Sequence, residues 1–343
     1  MDKRDYAIDF IRLVAILAVI VIHTTTYFLD RTAPFTPNFY VLHVINQVSR
    51  FAVPAFFAIS GYLLGARYSS FTSVTAFYKK RISKILLPYF IWTVIYFLFI
   101  FPNPKTSLLS IFFIRDILTG DASYQLYFIP AIILLYAIFP IIVKKKNIFL
   151  TGRFMIFLGL VETLSMSYVY FFEPKIDIIS AIPNAFYNLL PFILGIFASQ
   201  KILDFKAFVK EKIIYFKIVS AISLLLIIGE SIFMFSKTGK PMYLRDQWRI
   251  TVTIYGVSVA GLFYNSYRSS WNKISSYLSS FSFGIFFVHV AILHNIMKFF
   301  YGAKLYDLFS FAISLTLTII LSFAFSIVFS KVKLINKLLG LKA

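Results

Sequence analysis

Apolar stretches of roughly 18–26 residues recur along the chain, separated by short polar connections. A helix rises 1.5 Å per residue, so about 20 residues cross the hydrocarbon core of a bilayer and each stretch is long enough to span it. The pattern predicts ten helices, at 7–29, 45–65, 85–102, 125–143, 154–171, 177–199, 213–234, 248–266, 277–298 and 306–331. The fifth is only moderately apolar, because it contains "LGLVETLSMSY". Between the third and fourth, "SLLSIFFIRDILTG" (107–120) predicts a short helix lying in the membrane interface. No hydrophilic stretch is left for a second domain, so residues 1–343 are read as one all-α, integral-membrane domain.

Composition strengthens this picture. The chain is 59% hydrophobic and 14% charged, against about 45–50% and 25% for a soluble domain. The absence of cysteine excludes disulfides, thiolate metal sites and a cysteine nucleophile. A net charge of +20 would suggest nucleic acid in a soluble protein, but here the cations gather in alternate loops. Of the 34 Lys and Arg, 21 fall in one set of connections, which includes both termini, and 9 in the opposite set. The positive-inside rule then puts both termini in the cytoplasm and requires an even number of spans. No nucleic-acid partner is needed to account for the charge. Lys3 and Arg4 precede an apolar run, as in a signal peptide. That run contains Arg12 and has no small-residue cleavage site, so it is read as a retained first span.

Charges at the bilayer centre cost at least ~2.5–3.5 kcal/mol, so ionisable residues inside the spans are functional candidates. Arg12 and His23 lie eleven residues apart on the first span. At about 100° per residue that separation is three turns plus about 20°, which puts them on one face, roughly 16 Å apart along the axis. Asp9, three residues before Arg12, can pair with it. Arg50, entering from the outer side, reaches the depth of His23, while His289 and Glu162 lie near mid-depth on later spans. These four are expected to cluster, although His289 could equally serve as a helix–helix hydrogen-bonding residue. Arg249, Glu230 and Lys217 lie near helix ends and are read as snorkelling to the headgroups, and His294 as interfacial. At the inner surface "FYKKRISKILLPYFIW" (77–92) gathers Lys79, Lys80, Arg81 and Lys84. This is either ordinary topogenic charge or a phosphate-binding rim at the mouth of a cytoplasmic cavity.

The Arg12/His23 pair, followed by "SRFAVPAFFAISGYLLG" (49–65), resembles the membrane acyltransferase-3 family. Its members are bacterial inner-membrane enzymes that move acyl groups, commonly acetyl, onto surface sugars. The resemblance continues through "KKRISKILLPYFIW" (79–92), "YQLYFIPAIILLYAIFPII" (124–142), "NLLPFILGIF" (188–197) and "SSFSFGIFFVHVAIL" (279–293). It is greatest to members that acetylate enterobacterial common antigen. The chain departs from the family at Gln125-Leu126-Tyr127-Phe128-Ile129, where His-Leu-Trp-Phe-Leu is frequent. It also lacks the extracytoplasmic hydrolase-like domain that many members append.

The resemblance implies acyl-CoA, most simply acetyl-CoA, as a donor substrate, with no permanently bound cofactor and no metal. It implies a glycan or lipid-linked sugar as acceptor, membrane lipids around the protein, and a multi-pass location in the bacterial cytoplasmic membrane. His23, Arg12 and Arg50 are then the expected catalytic residues. His23 would be general base, its ordinary pKa of about 6.5 lying near working pH, or would carry an acyl-imidazole. Arg50 would stabilise the developing oxyanion. Arg81, Lys80, Lys84, Ser60 and Tyr62 are the expected donor-binding residues, supported by Asp9, Glu162 and His289. The alternative reading is a transporter or exporter of glycan or lipid-linked intermediates that uses the polar stripe as its path.

Overall fold

The computed structural model describes residues 5–68, 73–101, 111–172, 181–200 and 202–342, and every regular element among them is helical. In chain order the long helices are α1 (Tyr6–Leu29), α2 (Pro37–Arg67), α3 (Val74–Ile100), α4 (Phe128–Lys144), α5 (Gly152–Phe172), α6 (Ile182–Gln200), α7 (Ile213–Thr238), α8 (Ile250–Ser266), α9 (Ser282–Gly302) and α10 (Leu308–Phe329). Eight are long and apolar enough to cross a membrane; α4 and α8 are shorter, at 17 residues each. The chain is an all-α polytopic membrane protein. Lys3, Arg4, Lys105, Lys175 and Lys201, with residues 107–110 and 177–180 of two predicted elements, lie outside the described residues.

Polar side chains start the helices where backbone N–H groups would otherwise lack partners. Asp5 accepts from Ala7 N at α1, Thr36 from Phe39 N at α2, Ser73 from Ala76 N at α3, and Asp307 from Ser310 N at α10. Thr36 with Pro37 begins α2 eight residues ahead of the predicted second span. The helix then turns at Arg50 and Phe51 before resuming at Ala52. The predicted ninth span divides similarly into Asn272–Ser279 and α9, separated at Ser280 and Phe281.

α2 and α6 cross with their backbones nearly in contact. A Cβ on Gly61 would lie 2.0 Å from Phe192 O, and one on Gly195 would lie 1.9 Å from Ala58 O, so neither position has room for a side chain. α10 presents Ser314, Thr318, Ser322 and Ser326, four residues apart and fully buried, as a small-residue packing stripe. α5 and α7 lie at the periphery, with Leu164 72% and Leu225 70% exposed, which suits lipid contact.

The connection between α7 and α8 folds back into the bundle. Its short helix Met242–Arg245 buries Tyr243 and Leu244, and Arg245 pairs with Asp30. Arg249 at the end of this connection is buried, contrary to the snorkelling expectation. It donates to Ile227 O and Gln47 Oε1, both at 3.2 Å, and lies 3.6 Å from Glu230. The inward fold meets α2 before the side chain reaches any headgroup. Lys217 is exposed, and half-buried His294 stacks edge-on to Phe101.

Candidate active site

A cavity of about 930 Å³ opens between α1, α2, α3, α4 and α9. Arg12 and His23 both line it from one face of α1, with Arg50 and Ser60 from α2 and Arg81 and Lys84 from α3. Continuous helix over Tyr6–Leu29 carries the first pair, and the eleven-residue spacing turns both side chains the same way. Asp9 lies 3.7 Å from Arg12, one turn earlier.

Around His23 the rings close in. Its ring centroid is 5.3 Å from that of His289 and 4.7 Å from that of Tyr124. His289 is wholly buried, and its Nδ1 donates to Ile285 O at 2.8 Å. A carbonyl can only accept, so the proton sits on Nδ1 and the Nε2 lone pair is left buried without a partner. Gln125, Tyr127 and Gln247 line the same cavity. Gln247 donates to the Tyr127 hydroxyl. Gln125 accepts from Ser123 Oγ at 2.6 Å, and its amide nitrogen is buried without a hydrogen-bond partner.

Arg50 is only 3% exposed, and most of its donors are committed. Nε reaches Asn46 Oδ1 at 3.1 Å, Nη1 reaches Arg245 O at 2.6 Å and Asp246 O at 3.3 Å, and Nη2 reaches Leu244 O at 3.1 Å. Arg50 therefore clamps the inward-folded connection as well as facing the cavity, and of its five N–H groups one is left for a ligand. Burial raises the carboxyl of Asp246 in that connection above its ordinary range, partly offset by the Trp248 N–H, Arg249 and Arg50.

Three expected site residues lie elsewhere. The Tyr62 hydroxyl donates to Asp5 Oδ2 at 2.8 Å, and Tyr264 donates to the same oxygen at 3.0 Å, so Tyr62 ties the start of α1 to α2 and α8. It lines a separate, apolar cavity of about 440 Å³. Glu162 is fully buried on α5 and accepts from Leu190 N at 3.0 Å. α6 is interrupted at Tyr187 and Asn188, and the carboxylate meets a backbone N–H released by that break. The expected cluster of His23, Arg50, His289 and Glu162 is thus corrected to exclude Glu162. Lys80 is exposed and does not reach the cavity wall.

His43, which no pattern in the sequence singles out, is buried and bonded through Nε2 to Ser231 Oγ at 2.9 Å, its ring stacked on Phe39. It braces α2 against α7. Gln125 stands out in the sequence only as a departure from a motif; the signal that could have found it is an uncharged amide at the mouth of an apolar span.

Comparison with known proteins places this geometry. A family model described as an acyltransferase domain matches residues 5–331. An amino-acid racemase of Enterococcus faecalis is 29% identical over 191 residues, which are 53% of this chain and 24% of the racemase. The chain thus spans about a quarter of that curated relative's length. No solved structure matches. With a family match over nearly its whole length, the chain belongs to the acyltransferase-3 family of membrane acyltransferases.

Proposed function

We propose that this acyltransferase moves an acyl group, most simply acetyl, from cytoplasmic acyl-CoA to a hydroxyl of a lipid-linked or cell-surface glycan, in the bacterial cytoplasmic membrane. The observation that carries this reading is one cavity of about 930 Å³ with Arg81 and Lys84 at one end and His23 at the other. A long, polyanionic thioester suits such a space. Its phosphates would meet guanidinium and ammonium groups, and its pantetheine arm would pass Arg12 toward the imidazole.

In the reaction, His23 takes the proton of the acceptor hydroxyl as that oxygen attacks the thioester carbonyl. The tetrahedral oxyanion is met by the remaining Arg50 N–H and by the Gln125 amide, both on the cavity wall. The C–S bond then breaks, the CoA sulfur recovers the proton from the His23 imidazolium, and the products are an O-acyl ester and free CoA. His289 backs the His23 ring. Its tautomer, set by Ile285 O, leaves Nε2 as a buried lone pair rather than a second N–H. Asp9 holds Arg12 on the path.

Purified protein supplied with labelled acetyl-CoA and a lipid-linked acceptor should transfer label. His23→Ala and Arg12→Ala should both lose transfer, and full activity in both would sink the assignment. Glycan flux without CoA would favour the export reading instead.

A further inference from the structure

We infer that residues 333–342 complete the phosphate site for the donor, with Lys337 and Lys342 as binding residues; this rests on the acyl-CoA reading above. Both lysines line the same cavity as Arg81 and Lys84, and they come from a segment beyond the residues matched by the family.

The segment is keyed into the bundle. Its helix Lys333–Leu339 packs along α3, where the Trp92 indole donates to Leu339 O at 3.1 Å. Leu341 is fully buried against Gly284 of α9, and a Cβ on that glycine would lie 2.6 Å from Leu341 Cα. Asn336 Oδ1 accepts from Lys342 N at 2.8 Å, which closes the last turn on itself. The Lys342 ammonium rests 5.3 Å from the Phe281 ring centroid, a contact that holds its position without neutralising it.

Charge then identifies the ligand class. Six cations and no Asp or Glu line this cavity among the described residues. Arg81, Lys84, Lys337 and Lys342 have no carboxylate partner among those residues. Cations that converge from two elements without counter-charge suit a ligand bearing several phosphates. Two sources have that chemistry, the nucleotide of CoA and the headgroups of anionic lipids. The cavity is continuous from these cations to His23, which favours the nucleotide.

The test is CoA binding by the full chain in neutral detergent, comparing wild type, Lys337→Gln/Lys342→Gln, Lys337→Arg/Lys342→Arg and the outer-loop control Lys298→Gln. The glutamine pair should weaken CoA binding about tenfold or more and flatten its salt dependence. The arginine pair should restore affinity, and the control should bind normally. If the glutamine pair binds CoA as wild type does, the inference is overturned while the acyl-CoA reading stands. It is equally overturned if that pair loses only retention of phosphatidylglycerol, since the lysines would then serve lipid headgroups. If wild type itself fails to bind CoA, both fall.

Discussion

His23 has the face of α1 and the neighbours that a base needs, with Tyr124 and His289 rings at 4.7 and 5.3 Å and an open cavity in front. His23→Ala should lower kcat by about 10²–10⁴-fold. CoA affinity should hardly change, because the phosphates bind at the far end; turnover and binding assays on one preparation check both. Gln125→Ala should cost up to about 10²-fold in kcat with a small change in KM, the pattern expected when a donor acts on the transition state. Arg12 and His23 are legible in the sequence because two costly residues eleven apart share a helical face, a relation carried within one element. Arg50 is legible as a buried charge but not in its partners, the carbonyls of Leu244, Arg245 and Asp246, which come from about 195 residues away. Tyr62 misleads for the same reason: its hydroxyl is taken by Asp5, 57 residues distant.

At the scale of elements, the α2–α6 crossing holds Ser60 and Arg50 where the cavity needs them. Gly195→Leu would drive a side chain into Ala58 O, and overpacking of this kind costs typically about 1–3 kcal/mol or more. A lowered unfolding midpoint in detergent, with reduced activity, is expected. Gly159→Ala should be neutral in the same assay, since the new Cβ would meet Leu190 Cδ2 at an ordinary 3.5 Å. Apolar length locates the helices well, but the interruptions in α2, α6 and the ninth span escape it. Each is a local turn that hydropathy averages away, and Glu162 is misplaced by sequence because its partner exists only where α6 breaks. The small-residue stripe of α10 is readable at four-residue spacing, yet its lack of charge gives it no prominence among apolar spans.

Across the whole molecule, loop charge predicts both termini on the cytoplasmic side, which requires an even number of spans. The start of α3 and the 333–342 segment meet at one cavity mouth, as they must if they share a side. The chain has no cysteine, so single substitutions label without background. Lys145→Cys and Lys212→Cys in sealed cells should resist an impermeant thiol reagent until lysis, whereas Lys240→Cys should react at once. Reaction of all three in intact cells would contradict the orientation. The contribution of the 333–342 segment is not readable from sequence, because nothing in a short basic stretch says which wall it joins.

Whether the donor thioester is delivered to His23 is decided by a structure of the protein with CoA bound in a lipid nanodisc. The nucleotide phosphates should lie among Arg81, Lys84, Lys337 and Lys342. The sulfur should reach His23 closely enough for a thioester carbon and hydroxyl to approach to roughly 3–3.5 Å beside the imidazole. CoA seated outside this cavity, or with its sulfur turned away from His23, would contradict that assignment.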